Sequence, residues 1–313
     1  MSELAFERAL RRWVEDRGIA WEAIAYPRPE AGGITRAFRI TPREPRGLVV
    51  SVHGAGNDAL FAMAGLFRRL LLEGLAVFAF DVDGHGRAST TRFDPGAAGG
   101  AVAAAVEESG ALDRGLPLHG VGVSLGGALL LHALPRLPFA SAALVCAPLR
   151  VHLTAGSIAN ELRPGLLRAA WRGRRLYGAT GLIPSFGPIR RDLYPLRLTV
   201  PPGPGAFGYV DVLNRTLESL RLEEAARATP CPVLLVYGAR DRLVPPEQGE
   251  RLAALIPRAE LLLLPGETHL TTPLAPAAIE AVVRTLTTTP PPVFGCRSSV
   301  VGHDRGPGTD DLP

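Results

Sequence analysis

Lysine is absent from this 313-residue chain, so its 34 Lys-plus-Arg charges are all arginine. The formal net charge of +4 would by itself suit an anionic partner. The chain lacks, however, a basic tail and the alternation of basic and aromatic residues that strand-binding surfaces need. An all-arginine chain rich in alanine, glycine and proline is more typical of a GC-rich coding bias. The sequence therefore argues against a nucleic-acid partner.

Cysteine is scarce, and its spacing suggests no shared site. The three cysteines, an odd number, lie far apart at Cys146, Cys231 and Cys296. Neither a disulfide framework nor a zinc site has this pattern. We expect no metal and no cofactor.

Long uninterrupted apolar runs are also missing. The longest candidate is broken by Pro135 and Arg136, so we expect no integral membrane segment. Residues 1–18 carry three glutamates among apolar positions at helical spacing, which predicts an amphipathic helix rather than a signal peptide. Together these features predict a cytoplasmic protein.

What the chain does contain is an alternation of apolar strand-like runs with helical patterns. Hydrophobic residues make up 47% of the sequence, enough for a large core. The strand-like runs cover residues 47–54, 75–81, 116–122, 140–148, 231–238 and 259–266. Helical patterns cover residues 59–74, 125–134, 245–256 and 275–286. The alternation predicts an α/β fold with a mostly parallel sheet and helices on both faces.

The alternation of strands and helices stops between about Leu149 and Ala228. A connection this long is usually functional, and we interpret this Pro-, Gly- and Arg-rich segment as an inserted helical cap. The Pro/Gly-rich polar end of the chain predicts disorder. The expected divisions are a helix and lead-in at 1–33, core at 34–148, cap at 149–229, core at 230–287 and tail at 288–313.

The pentapeptide Gly-Val-Ser-Leu-Gly at residues 122–126 falls where a predicted strand meets a helix. Gly122 and Gly126 remove the β-carbons that would collide as strand and helix close up, which suits a sharp turn. Ser124 would then project its hydroxyl above the carboxyl edge of the sheet, where α/β proteins bind ligands. The alternative is an ordinary serine N-cap.

A serine nucleophile needs a base and a residue that orients the base. His269 follows the last predicted strand, and Asp241 follows the strand before it. The order Ser, Asp, His along the chain matches one hydrolase architecture. The loop after residue 52 offers backbone N–H groups, so an oxyanion site built from the amides of Ala55 and Leu125 would complete the site.

The remaining histidines have different expected roles. His53, next to Gly54, braces the loop that carries Ala55, and His85 shapes a neighbouring loop. His119 and His132 lie within a strand and a helix, where a structural histidine is usual. His152 lies in the expected cap and His303 in the tail.

The chain resembles the α/β-hydrolase superfamily, and most of all its monoacylglycerol-lipase and serine-aminopeptidase-like branch. The motifs SVHGAG, DVDGHGRAS, GVSLGG, VYGARDRLVPP and LPGETHL carry the resemblance between about residues 46 and 287. It implies Ser124 as nucleophile, Asp241 as acid, His269 as base and the Ala55 and Leu125 amides as oxyanion donors. One motif departs from the family, because D-x-x-G-x-G-x-S ends here in Ala88, with Ser89 one place later.

The expected activity is hydrolysis of a carboxylic ester with an apolar acyl part, such as a monoacylglycerol or lysophospholipid. Acyl transfer, thioester hydrolysis and amide hydrolysis use the same triad, and a non-catalytic binding protein is the remaining alternative. The expected cap mixes apolar residues that suit an acyl chain with arginines that suit an anionic group or solvent. These are Leu166, Leu167, Trp171, Leu176 and Tyr177, and Arg168, Arg172, Arg174 and Arg175.

Overall fold

The structure, a computed structural model, describes residues 5–60, 63–86, 90, 93–154, 156–157, 161 and 205–288. Its strands are β1 (Ala20–Arg28), β2 (Gly33–Thr41), β3 (Gly47–Val52), β4 (Leu75–Phe80), β5 (Leu118–Val123), β6 (Phe139–Val145), β7 (Val233–Gly238) and β8 (Ala259–Leu264). They form one sheet in the order β1-β2-β4-β3-β5-β6-β7-β8. β3 to β8 run parallel, and β1 and β2 are antiparallel to their neighbours.

The helices in the described part of the chain connect these strands. They are α1 (Ala5–Glu15), α2 (Ala64–Leu72), α3 (Pro95–Ser109), α4 (Leu125–Ala133), α5 (Gly205–Ser219), α6 (Leu222–Arg227), α7 (Glu247–Leu255) and α8 (Pro276–Thr288). Short 3-10 turns occur at Pro29–Ala31 and Thr272–Leu274. None of the described helices has the length and hydrophobicity that a membrane span requires.

The central strands are apolar throughout because both of their faces are covered. In β3, Val50 packs with α3 to α7 on one face, and its neighbour Val49 packs with α1, α2 and α8 on the other. Successive side chains of a strand point to opposite faces, so a strand buried on both sides cannot alternate with polar residues. The predicted fold class, a mostly parallel sheet with helices on both faces, is confirmed.

The first two strands, β1 and β2, lie outside the strands predicted from the sequence. β1 and β2 pair along their whole length, from Ala20 opposite Thr41 to Arg28 opposite Gly33. The division expected after residue 33 falls at the start of β2, and β1 pairs with β2 in the same sheet. β1 is largely exposed and contains Pro27, so it lacks the continuous apolar run that marks the buried strands.

α3 was also not predicted, because it contains Gly96, Gly99 and Gly100, and glycine has low helix propensity. Its start is nevertheless well capped. The Asp94 carboxylate accepts the N–H groups of Gly96 and Ala97 at 2.9 and 3.0 Å, and Pro95 follows directly. This N-terminal signature was the available signal.

Part of the expected cap is described. α5 and α6 lie within residues 149–229, and Leu222, Ala225 and Ala226 of α6 are buried in the same cluster as α4 and the sheet. The apolar residues and arginines named for substrate contact, and the tail after residue 288, lie outside the described residues. The cap and tail divisions stay predictions.

Candidate functional site

The residues expected to carry chemistry follow three parallel strands at one edge of the sheet. Ser124 comes directly after β5, Asp241 follows β7 and His269 follows β8. Since β5, β6, β7 and β8 are parallel neighbours, their carboxyl ends share one edge. Residues that are 145 positions apart in the chain thus meet there.

The turn at Ser124 is strained and sterically tight. Ser124 has φ 52° and ψ −118°, a left-handed backbone that costs of order 1–3 kcal/mol for a non-glycine residue. A β-carbon on Gly126 would lie 2.1 Å from the Val52 carbonyl oxygen, and one on Gly122 would lie 2.5 Å from the Gly126 carbonyl oxygen. Glycine is therefore required at both positions.

The contacts of the Ser124 side chain differ from those of a serine that caps a helix. The Ser124 side chain makes no capping hydrogen bond to α4 in the part of the chain that is described. Its Oγ lies instead 2.9 Å from Nε2 of His269. The backbone N–H of Ser124 donates to the Val145 carbonyl at 2.8 Å, which anchors the turn to β6.

A carboxylate holds the other side of the imidazole. His269 Nδ1 lies 2.8 Å from Oδ2 of Asp241, and both side chains are buried. The second oxygen of Asp241 accepts the N–H groups of Leu243 and Val244 at 2.9 and 2.7 Å. Because the carboxylate accepts a hydrogen bond from Nδ1–H, the unprotonated Nε2 is left to accept a hydrogen bond from the serine hydroxyl.

The buried carboxylates near His269 change the pKa of its imidazole. Burial alone lowers the pKa of the imidazole, but the charge and hydrogen bond of Asp241, with the charge of Glu161, outweigh it. The pKa of His269 is therefore raised above its ordinary value. Such a group readily takes up a proton from a hydroxyl and holds it as an imidazolium.

The loop expected to form the oxyanion site is braced by His53. Its Nδ1–H donates to the Gly54 carbonyl at 2.8 Å, and its Nε2 accepts the Val82 N–H at 2.9 Å. Burial lowers the pKa of His53 to about 4, so the ring is neutral near pH 7. A β-carbon on Gly54 would lie 3.4 Å from that of Ser124, so this loop runs close beside the serine. The structure thus places His53 in a structural position.

The two candidate oxyanion donors come from two different loops near Ser124. Leu125 is the first residue of α4, where N–H groups have no partner within the helix. Ala55 lies in the loop after β3. In the described part of the chain, no acceptor engages either N–H group.

His85 occupies the neighbouring loop and is locked by neutral partners. Its Nδ1–H donates to the Asp83 carbonyl at 2.9 Å, and its Nε2 accepts the hydroxyl proton of Tyr209 from α5 at 2.5 Å. Burial and the proximity of His53 lower the pKa of His85 to about 3. Tyr209 was not found by sequence analysis. Ala88 and Ser89, where the loop motif departs from the family, lie outside the described residues.

Behind this loop lies a buried ion pair that sequence analysis also missed. Nη2 and Nε of Arg28 contact the two carboxylate oxygens of Asp83 at 2.7 and 3.3 Å, a bidentate arrangement. The Arg28 side chain is 5% exposed and that of Asp83 is 1% exposed. Arg28 also donates to the carbonyls of Ala97 and Gly100, so it joins β1, α3 and the His85 loop.

A further buried acid contacts the loops of both Asp241 and His269. Glu161 accepts the backbone N–H of His269 at 2.8 Å and that of Arg242 at 3.3 Å. It lies in the expected cap, where no sequence pattern singled it out. Such a contact is made only by folding.

Two further histidines, His119 and His132, form hydrogen bonds with groups outside this site. His119 Nδ1 is 2.9 Å from the Ser141 hydroxyl, and His132 Nδ1 is 2.7 Å from the Leu220 carbonyl oxygen. Neither contacts Ser124, Asp241 or His269 in the described part of the chain.

One group of side chains has the composition of a metal site. Ligand atoms of Cys146, Asp241 and His269 lie within 4.8 Å of one another, and all three residues are buried. However, Asp241 and His269 already bond to each other, and burial raises the pKa of the Cys146 thiol well above its ordinary value. Since metals bind the thiolate, the group suits proton transfer better than metal binding.

Comparison with known proteins identifies the family. Residues 49–285, more than half of the chain, match the model described as the alpha/beta hydrolase family. No curated protein matches the chain.

Solved structures with a similar fold include an esterase, a serine hydrolase and a proline iminopeptidase. An esterase from Pyrococcus furiosus is 17% identical with a TM-score of 0.58, covering 88% of this chain and 93% of its own. A serine hydrolase from Cycloclasticus zankles is 14% identical with a TM-score of 0.61, covering 84% and 97%. A proline iminopeptidase from Mycobacterium smegmatis is 19% identical with a TM-score of 0.58, covering 85% and 97%.

Proposed function

The chain belongs to the alpha/beta hydrolase family, and we propose that it is a serine hydrolase that cleaves carboxylic esters through an acyl-enzyme. In this proposal Ser124 is the nucleophile, His269 the general base and acid, and Asp241 the residue that orients and stabilises the imidazole. The backbone N–H groups of Ala55 and Leu125 receive the oxyanion.

The reaction proceeds in two halves. His269 Nε2 takes the Ser124 proton as Oγ attacks the ester carbonyl, and the negative charge passes to the carbonyl oxygen. His269 then gives the proton to the leaving alcohol, which leaves the acyl group on Ser124. In the second half, His269 takes a proton from water as the water attacks the acyl carbonyl. His269 then returns the proton to Ser124, and the carboxylic acid is released. In related chemistry, loss of one oxyanion donor lowers kcat on the order of 10²–10³-fold.

The observation that carries this proposal is the contact of Ser124 with His269. A strained serine at the start of a helix, with its Oγ 2.9 Å from an imidazole that a buried carboxylate orients, is the arrangement that activates a hydroxyl. Structural requirements alone do not account for it, because the strain at φ 52° serves no capping contact in the described chain.

The choice of an ester substrate rests on the chemistry of the site and on one protein of similar fold. Esters are the least demanding substrates for this site, and an esterase is among the proteins of similar fold. The iminopeptidase of similar fold makes amides the second class to test. An apolar acyl part remains an expectation, since the cap residues that suggested it lie outside the described chain.

Labelling with a fluorophosphonate probe tests the nucleophile. The wild type should label, and Ser124→Ala should not. Ser51→Ala is the matched control, because Ser51 is a buried serine on neighbouring β3 whose hydroxyl has no hydrogen-bond partner in the described chain. Labelling that persists in Ser124→Ala, or is absent from the wild type, contradicts the proposal.

Hydrolysis of p-nitrophenyl esters of increasing chain length tests the substrate class. Turnover that depends on Ser124 supports ester hydrolysis. If the probe labels Ser124 but no ester is cleaved, the substrate is an amide or the reaction is an acyl transfer, and the ester assignment is wrong.

A further inference from the structure

Glu161 is the buried acid of the site that the proposed mechanism does not use. The residue is 2% exposed and lies between β6 and α5. One carboxylate oxygen accepts the backbone N–H of His269 at 2.8 Å, and the other accepts that of Arg242, the residue after Asp241, at 3.3 Å. A single side chain thus contacts both loops that carry the acid and the base.

We propose that Glu161 is a positioning residue for His269, because its carboxylate ties the loop after β7 to the loop after β8 and places a fixed negative charge beside the imidazole. This inference rests on the proposed function, in which His269 is the base. It assigns to Glu161 a direct part in aligning the proton-transfer groups.

Glu161 holds the loops of Asp241 and His269 at a fixed separation. Asp241 and His269 lie on separate loops, and their hydrogen bond of 2.8 Å requires the two loops to stay in register. Glu161 binds the main chain of both loops, so it fixes their separation independently of the side chains that react. A displacement of about 1 Å between reacting groups can lower a rate about 100-fold.

The second contribution of Glu161 is electrostatic. Glu161 and Asp241 are the carboxylates whose charges raise the pKa of His269 against the effect of burial. The other groups that face this imidazole in the described chain are the Ser124 hydroxyl from the turn after β5 and the Cys146 thiol at the end of β6. Both are neutral, because burial keeps the thiol protonated. The imidazolium formed during reaction is therefore balanced by two anions.

Two substitutions of Glu161 distinguish the effect of its charge from the effect of its side-chain length. Glu161→Gln keeps the size of the side chain but removes the charge, and its single carbonyl oxygen can replace only one of the two acceptors. Glu161→Asp keeps the charge but is one methylene shorter, so it weakens the contact with the two loops. Glu7→Gln is the matched control, because Glu7 is a similarly buried glutamate, 4% exposed, that pairs with Arg36 away from the site.

The experiment measures the His269 pKa directly, by NMR titration of protein with ¹⁵N-labelled histidine. The signal is identified by its loss in His269→Gln. We expect Glu161→Gln to lower this pKa, and the acidic limb of kcat/KM to move to lower pH by the same amount. Glu161→Asp should keep most of the wild-type pKa while its kcat falls by up to about 100-fold at little-changed KM. Glu7→Gln should move neither quantity.

The proposal is overturned if folded Glu161→Gln titrates like the wild type. If Glu161→Gln does not fold, Glu161→Asp decides, since a wild-type kcat in that variant would show a role in stability alone. The titration needs no substrate. A shifted His269 pKa in a protein that fails to react with the fluorophosphonate probe would therefore uphold the charge effect while contradicting the proposed function.

Discussion

His269 and His85 are both buried imidazoles in loops at the carboxyl edge of the sheet, yet their pKa values move in opposite directions. Burial disfavours the charged ring in both. His269 faces the carboxylates of Asp241 and Glu161, which reverse the effect, whereas His85 is bonded to a carbonyl and a phenol. The comparison teaches that the partner, not the depth of burial, separates a basic histidine from an inert one.

The same contrast extends to the two sides of the site. On the side of β7 and β8, anions surround the imidazole and favour its protonated form. On the side of β3 and β4, neutral hydrogen bonds hold His53 and His85, and the charged pair of Arg28 and Asp83 lies behind them. In the proposed mechanism, the imidazole on the first side gains and loses a proton, and the loops on the second side hold a backbone N–H group that receives the oxyanion.

The largest expected effect is the loss of activity when the Asp241 carboxylate beside His269 is replaced. Asp241→Asn should lower kcat on the order of 10⁴-fold, because the amide does not stabilise the imidazolium and permits the wrong tautomer. Its oxygen can still accept the N–H groups of Leu243 and Val244, so the fold should persist. Ester hydrolysis measures the change, and Asp94→Asn, which replaces one good N-cap with another, is the control. An active Asp241→Asn would remove the proposed role of the carboxylate.

The next effect concerns the support behind the neutral side. Arg28→Met leaves the Asp83 carboxylate buried without its cation, which should lower the free energy of unfolding by about 3–5 kcal/mol. Urea unfolding measures it. The control is Arg69→Met, which breaks the exposed pair of Arg69 with Glu280 and should cost about 1 kcal/mol or less. Equal losses in the two variants would show that the buried pair does not support the loop as argued.

The smallest expected effect is the change in unfolding free energy for each pH unit. Its sign for His53 and His85 is opposite to its sign for His269. The folded pKa values of His53 and His85 are lowered to about 4 and about 3, so the unfolded chain binds protons first as pH falls. Stability should therefore fall below about pH 6.5, by about 1.4 kcal/mol per pH unit for each group. His269 has a raised pKa, so its contribution is present below that pH and is lost as pH rises through its folded pKa.

Unfolding curves at a series of pH values test both signs. His85→Gln keeps a donor and an acceptor for the Asp83 carbonyl and the Tyr209 hydroxyl, and should flatten the acidic fall. His269→Gln should leave that fall in place and remove the loss at higher pH. The opposite assignment of the two changes would invalidate the comparison of the two histidines.

Much of this architecture could be predicted because it follows from local patterns. Strands buried on both faces need continuous apolar runs, which marked β3 to β7, and the carboxyl ends of parallel strands share one edge. The edge strand β8 is only partly buried but has a similar apolar run. Together with the Gly-Val-Ser-Leu-Gly pentapeptide, chain order and strand ends therefore nominated Ser124, Asp241 and His269, which the fold brings into contact. β1 and β2 were not predicted because an exposed hairpin lacks that run, and the glycines of α3 obscured a helix that its cap begins.

The sequence by itself determined the order of the elements and which residues follow the strand ends, because the periodicity of apolar residues and the positions of glycine are local properties. Only the tertiary structure decided which buried groups face each imidazole. Glu161 lies 108 positions from His269, and Tyr209 lies 124 from His85. No pattern spans such distances, and electrostatic effects depend on separation in space, so whether each histidine gains or loses basicity was decided by folding.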